Sequence, residues 1–355
     1  MEGFDVKKGT YTIEEREKGK DWGNFLFNDC SYILYVSHLG DTNSKFLNRE
    51  AVQVTVNAPQ SSFIYIRDEK TKKYWDVAGY PTMVPVKRYR CVHGQKFTEI
   101  SSAYEGIDCR ITYAVAPSDT YEIRQVTLKN KTARPRDLSV FATTAFDLNG
   151  YAQPVYYSAV TTSATEYLAE ANAVYNGLLN PYKPHKRCNG FIASELPVFA
   201  YDGNYEKFIG TLGNITKPKI LQSGGDCTGS TATVRTRGGI LQNKIVLAPK
   251  EEKTFHYIIG LCDGKQELIS ACKEIFEQAP LIIKKSRSSL SGYTLRTGCP
   301  EKRIEGVMNF WAEKQVRFCS LGKKAVRDNA QLGMAMLNYD VKSAKAVIDE
   351  CVAHQ

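Results

Sequence analysis

From Tyr11 to about Leu261 the chain runs through short apolar stretches in which apolar and polar residues alternate, rich in Val, Ile, Thr, Tyr and Phe and set apart by clusters of Gly, Asn, Asp and Pro. A period of two places successive side chains on opposite faces of an extended backbone, so these stretches predict antiparallel strands with one face buried. The clearest lie at 32–36, 52–56, 63–66, 109–115, 121–128, 138–145, 243–247 and 254–260. Because no helical pattern separates them, they argue for sheet packed on sheet in a large β-sandwich. Between 149 and 239 the pattern is less regular, with strand-like pieces at 191–193 and 231–234 and long loops expected around them. Gly224-Gly225 and Gly238-Gly239 read as tight turns, and neither pair stands between a strand and a helix as a phosphate cradle requires.

After Asp263-Gly264 the period changes. Leu268, Ile269, Cys272, Ile275 and Phe276 follow helical spacing, with Asp263 near the start, and predict a helix that closes the sandwich. A Ser-, Lys- and Arg-rich stretch, 284–303, reads as a connector. Ile304, Val307, Met308, Trp311, Gln315 and Phe318 then recur at steps of three and four, a second helix with Met308 and Trp311 expected as core anchors. Two more helices are expected at 327–337 and 341–352, joined at Asn338-Tyr339-Asp340 with Asp340 as N-cap. The apolar stripe Val341, Ala344, Val347, Ile348, Cys351 and Val352 cannot be covered by a lone hairpin. It should pack on the sandwich or belong to a larger helical domain.

With 43% apolar and 24% charged residues over 355 positions, the chain can bury a core, which excludes disorder, collagen-like repeats and coiled coil as its dominant state. At about 150 residues per domain the length suggests two domains. Forty-seven basic against 38 acidic residues leave a net charge of +9, spread too thinly to imply nucleic acid. The densest basic patches, 183–187 and 284–287, read as solvated loops. Ten cysteines form no CxxC pair. Cys109 shares a strand face with Ile111, Tyr113 and Val115, and Cys272 lies on a helix stripe; with Cys30, Cys91 and Cys319 they read as free thiols of a reducing compartment. Neither a signal-like segment in 1–20 nor a run of eighteen apolar residues is present, so a cytoplasmic location without membrane contact is expected. His38, His93 and His256 have no acidic or Ser partner at an interpretable spacing, and Asp68, Glu105 and Asp108 show no acid–base spacing, so none is expected to be catalytic or metal-binding.

Several ordered motifs resemble one family. Trp22-Gly-Asn24-Phe-Leu26 is followed by Tyr65-Ile-Arg67-Asp68, Tyr74-Trp75 and Tyr89-Arg-Cys91-Val-His93-Gly94, the last continuing through Thr98, Ile100, Ser101, Ser102, Tyr104 and Gly106-Ile107. Leu128-Lys-Asn130, Arg134-Pro135-Arg136 and Leu138-Ser139-Val140-Phe141 come next, then Asn309, Trp311 and Gln315, and last Arg327-Asp328 with Gln331. This series resembles the amino-terminal part of glycoside hydrolase family 94, the cellobiose, chitobiose and cellodextrin phosphorylases, and is weakest from 149 to 239.

The resemblance implies a mainly β chain with C-terminal helices: an antiparallel β-supersandwich over 1–285, a helical linker over 286–320, and over 321–355 the first hairpin of an incomplete (α/α)6 catalytic barrel. It also implies cleavage of a β-linked disaccharide or oligosaccharide by inorganic phosphate, a co-substrate rather than a cofactor, with inversion to an α-sugar 1-phosphate. One general acid suffices, because phosphate arrives already anionic and needs only to be held in line. The family's acid, an aspartate in mid-barrel, matches no position here and is expected beyond Gln355. Arg327, Asp328 and Gln331 match the residues that hold the sugar on the non-reducing side. A carboxylate accepts sugar hydroxyls there and a guanidinium offers a rigid fork of donors. Relatives often carry an acid where Leu332 stands. Read without the family, Arg327 and Asp328 are helix-start charges or a structural ion pair. The leading expectation is a truncated or fragmentary phosphorylase, inactive alone, that forms a homodimer or works with a separate catalytic chain. The alternative is a non-catalytic carbohydrate-binding or assembly module, and a sandwich-type sugar epimerase is a third reading that lacks a legible His–carboxylate pair.

Overall fold

The computed structural model describes residues 3–16, 22–47, 53–56, 62–148, 163–178, 187–233, 237–288, 297–321 and 325–353. Strands within these residues form three antiparallel sheets. Ten strands make the first, in the order Gly3–Asp5, Thr10–Ile13, Lys87–His93, Thr98–Tyr104, Ile107–Val115, Tyr121–Asn130, Glu252–Cys262, Asn189–Ser194, Ala173–Leu178 and Ser163–Leu168. Five make the second, in the order Ala200–Asn204, Arg237–Leu247, Arg136–Ala145, Ile64–Asp68 and Tyr74–Asp76. Gly23–Phe27, Tyr32–Ser37, Thr42–Leu47 and Gln53–Thr55 make the third.

Alternation in the sequence becomes layering in space. One face of the ten-stranded sheet, with Ile111, Val126, Leu128, Phe255, Tyr257 and Ile259, packs against Leu34 and Val36 of the four-stranded sheet and against Ile64, Ile66, Val140, Leu241 and Ile245 of the five-stranded sheet. The opposite face carries Ala114, Ile123, Phe191 and Ile258 and is covered by a long helix through Leu268, Cys272, Ala279, Ile282 and Ile283. Two short helices, α1 (Tyr205–Ile209) and α2 (Lys219–Ser223), cover the outer face of the five-stranded sheet, where Phe208, Ile220 and Leu221 meet Tyr65, Phe141 and Ile240.

The long helix, α3 (Lys265–Ser288), runs further than the 284–303 connector allows. Its last turn stays helical because Ser286 is buried and Arg287 pairs with Glu99 on the sheet beneath, while Lys285 and Arg287 suit the negative end of a helix dipole. The Asp263 carboxylate does not cap this helix; it accepts the backbone N–H of Arg187. Gly238-Gly239 is not a turn. Both residues lie inside strand Arg237–Leu247, where a Cβ on Gly239 would stand 2.3 Å from Ile192 and one on Gly238 would stand 2.9 Å from Tyr205. Glycine is used there for close approach between layers. Gly224, by contrast, ends α2 in the left-handed conformation at φ 67°. Of the piece expected at 231–234, Thr233 makes a single bridge to Ala164 and residue 234 lies outside the described residues, as do residue 52 and most of the basic patch 183–187.

Past the sandwich, α4 (Lys302–Gly306) continues through a π-helical turn, Val307–Trp311, into α5 (Ala312–Cys319). Met308 is not a core anchor: it is 43% exposed, and the inward face is made instead by Gly306, Asn309, Phe310 and Glu313. The π-turn adds a residue to the helical repeat, which rotates the face expected from three- and four-residue steps. A hairpin follows, α6 (Val326–Met336) and α7 (Val341–Ala353), with Asp340 accepting from the Ser343 N–H at 3.1 Å and the Ser343 hydroxyl at 2.6 Å as the expected N-cap.

Candidate functional site

Arg327 and Asp328 occupy the first turn of α6, and Gln331 follows one turn later. Spacings of three and four residues put all three on one side of the helix. Arg327 Nε lies 3.6 Å from Asp328 Oδ1, with the two side chains 84% and 47% exposed, and Gln331 is exposed as well. An ion pair this open contributes about 0–1 kcal/mol to stability. The three residues therefore form an uncovered polar face that contributes little to folding.

This face is carried by a hairpin with little cover of its own. Met336, Ala344 and Cys351 are buried between its two helices, whereas Val326, Met334, Leu337, Val341, Ile348 and Val352 are 45–71% exposed. Its attachment to the linker helix is polar. Arg317 on α5 pairs with Glu313 at 2.8 Å and with the capping residue Asp340 at 3.3 Å.

The other motif residues build joints. Arg136 and Asp68 form a buried ion pair, and Asn130 donates to the carbonyls of Arg134, Leu247 and Ala248 at 2.8–3.1 Å, closing the turn between two strands. Asn24, 1% exposed, donates to Gly94 O, Phe97 O and Thr98 Oγ1, while its own oxygen accepts from the Lys314 amine. Thr98 Oγ1 meets His93 Nδ1 at 3.0 Å. Gln95 donates to Phe310 O, and Asn309 is bonded to Thr297 through both its oxygen and its nitrogen. Trp22 to Leu26, His93 to Thr98 and Asn309 to Lys314 thus converge where the linker meets the sandwich.

One pairing was invisible in the sequence. His256 and Glu195, 61 residues apart, lie with Nδ1 and Oε2 at 2.8 Å, and Glu195 Oε2 also accepts the His256 backbone N–H at 3.0 Å. The hydrogen bond from His256 holds the Glu195 carboxyl below its ordinary range. A His–carboxylate pair of this kind could serve an epimerase. However, His256 is 3% exposed and its remaining nitrogen is taken by Gln125 at 3.0 Å, so the ring has no free nitrogen to offer a substrate. Asp76 fails the same test. Burial pushes its carboxyl up to about 7, a range suited to a general acid. Yet it is 3% exposed, and its oxygens accept from the N–H groups of Ala78, Tyr80 and Thr82 and from the Thr82 hydroxyl at 2.7–3.3 Å, which makes it the organiser of its own turn.

Among the described residues no group of three or more His, Cys, Asp or Glu is placed to hold a metal ion, and no helix is long and apolar enough to cross a membrane. Among the described residues none of the ten cysteines is joined in a disulfide. A cleft of about 590 Å³ beside α1 has Glu206 and Arg237 as its charged lining residues, without a second carboxylate.

Known proteins share this pattern over most of the chain. A solabiose phosphorylase from Paenibacillus borealis is 26% identical over 350 residues, 94% of this chain and 45% of its own length. A 3-O-beta-D-glucopyranosyl-beta-D-glucuronide phosphorylase from the same organism is 26% identical over 86% of this chain and 39% of its own length. An N,N'-diacetylchitobiose phosphorylase from Vibrio proteolyticus is 25% identical over 74% of this chain and 34% of its own length. The chain thus spans less than half the length of these relatives, for which phosphate is a co-substrate and not a resident cofactor. Residues 9–278 match the family described as glycosyl hydrolase 94, supersandwich domain, and the chain belongs to that family.

Proposed function

We propose that this chain is the sandwich, linker and opening hairpin of an inverting sugar phosphorylase, with domains at 1–285, 286–320 and 321–355. In this reading Arg327, Asp328 and Gln331 hold the non-reducing sugar of a β-linked disaccharide or oligosaccharide, and the proton donor and the phosphate-binding groups come from further polypeptide. Asp328 would accept sugar hydroxyls and Arg327 would supply the rigid fork of donors. Phosphate, held in line by that polypeptide, would displace the leaving sugar with inversion.

The observation that carries this reading is the combination on one hairpin of an exposed polar triad and six exposed large apolar residues. A helix pair that shows apolar residues on its outside is half of an interface, and a sugar-holding face without walls is half of a pocket. The relatives are named phosphorylases, and more than half of each one's length lies outside the matched region, length enough to supply both missing halves.

Calorimetric titration of the chain with cellobiose and N,N'-diacetylchitobiose tests this. No saturable heat is expected, because the triad alone excludes too little water. Saturable binding abolished by Arg327→Ala would instead favour a self-sufficient carbohydrate-binding module.

A further inference from the structure

α3 covers only part of its face of the ten-stranded sheet. Next to the end of the helix, where Arg287 pairs with Glu99, that face carries one row of side chains standing directly opposite each other on five neighbouring strands: Arg90, Ser101, Arg110, Thr127 and Thr254. All five point away from the core, because their strand neighbours Cys91, Ile100, Ile111, Val126 and Phe255 point into it. Strands about 4.8 Å apart make the row roughly 19 Å long. Arg90 and Thr254 are exposed at its ends, with Ser101 and Arg110 half-buried between them.

The other cations of this surface are matched. Arg88 pairs with Asp108, Lys131 lies 3.6 Å from the same carboxylate, Lys129 lies 3.0 Å from Glu252, and Arg90 lies 4.0 Å from Glu14. Arg110 forms no ion pair and no hydrogen bond among the described residues, and its Nε is buried without a partner. Glu252, already held by Lys129, feels the Arg110 charge without contacting it. A surface arginine ordinarily leaves its Nε to water. Here the nitrogen is out of water with no acceptor in exchange, and the guanidinium stays charged, so the site is completed by an anion with two oxygens in one plane. Beside it the Ser101 hydroxyl has no hydrogen-bond partner among the described residues, while the Thr127 and Thr254 hydroxyls share one bond at 2.9 Å. The row holds no aromatic ring on which a nucleobase could stack and no large apolar side chain to anchor a protein.

We propose that this row binds an acidic oligosaccharide: one sugar carboxylate seats on the terminal nitrogens of Arg110, Arg90 meets a second carboxylate along the chain, and the hydroxyls of Ser101 and Thr254 exchange hydrogen bonds with sugar hydroxyls. Guanidinium forks and hydroxyls alternating along an extended row suit a ligand that carries carboxylates and hydroxyls along an extended chain. The surface lies on the sandwich and stands apart from the Arg327–Asp328 face.

Calorimetric titration of the full chain with a β-linked mannuronate tetrasaccharide, with its neutral counterpart mannotetraose and with a single-stranded oligothymidylate tests this. Saturable binding of the mannuronate is expected, and none of mannotetraose. Arg110→Gln should weaken it by roughly tenfold or more, the effect of losing one charge-assisted hydrogen bond. Arg110→Lys keeps the charge without the fork and should recover only part of the affinity. Lys273→Gln removes an equal charge from the exposed side of α3, where Lys273 is 89% exposed, and should leave the affinity unchanged. If the glutamine variant at 110 does not fold, Arg110→Lys and Ser101→Ala carry the test, each expected to bind more weakly than wild type. Absence of saturable mannuronate binding, wild-type affinity in the position-110 variants, an equal loss in Lys273→Gln, or oligothymidylate bound as tightly as mannuronate overturns the proposal.

Discussion

Arg136 grips Asp68 with two nitrogens: Nε and Nη2 lie 2.8 and 2.7 Å from the same carboxylate oxygen, Oδ2, in a pair whose side chains are 5% and 3% exposed. The other oxygen accepts the Thr71 N–H at 2.7 Å and its hydroxyl at 2.9 Å. Burial alone would raise the Asp68 carboxyl, but the Thr71 N–H, Arg136 and the Thr71 hydroxyl together outweigh it and hold the group below its ordinary value. Arg136→Ala leaves that carboxylate buried and unpaired and should cost about 3–5 kcal/mol. Urea unfolding checks the figure. Because the folded value is depressed, the Asp68 contribution is complete above the ordinary carboxylate range and is lost as pH falls through and below it.

His93 should set a different limb of the pH profile. Burial, with the nearby charges of Lys314 and His38, lowers the imidazole to about 3, against an ordinary value near 6.5. Between these values the unfolded chain binds more protons, so stability falls as pH drops from about 6.5 toward 3. Denaturant midpoints measured across that window should fall in the wild type and fall less in His93→Gln. Equal slopes would mean that His93 is not the group titrating.

Gly239→Ala tests the close approach of the layers. The new methyl would meet Ile192 at 2.3 Å within a strand paired on both sides, so a loss of about 1–3 kcal/mol is expected from overpacking. A turn at this position, as the Gly-Gly pair suggests by itself, would tolerate alanine far better.

Arg327→Ala and Asp328→Asn should leave thermal stability within about 0.5 kcal/mol of wild type, as surface changes away from packing features do. A larger loss in either would return the pair to a structural role and take the sugar-holding reading away from it.

The strands were legible because alternation records burial of one face, and 109–115, 121–128 and 138–145 all lie within strands of the structure. The hairpin was legible through its stripe and its Asp340 cap. What failed was information that one segment does not carry. The end of α3 depends on Glu99, far away on the sheet, to receive Arg287. Met308 faces outward because a π-turn shifts the helical repeat. His256 and Glu195 meet through strand order, which residue spacing does not encode. Arg327, Asp328 and Gln331 are candidates only through resemblance, since adjacent charges at a helix start look alike whatever they do.

The central proposal is that this chain carries part of a sugar-holding wall but not the groups that do the chemistry. Incubating the purified chain with inorganic phosphate and β-linked disaccharides, and assaying for α-sugar 1-phosphate, tests it most directly. No product above the enzyme-free control is the expected result. Phosphate-dependent formation of the sugar phosphate by this chain alone would contradict it.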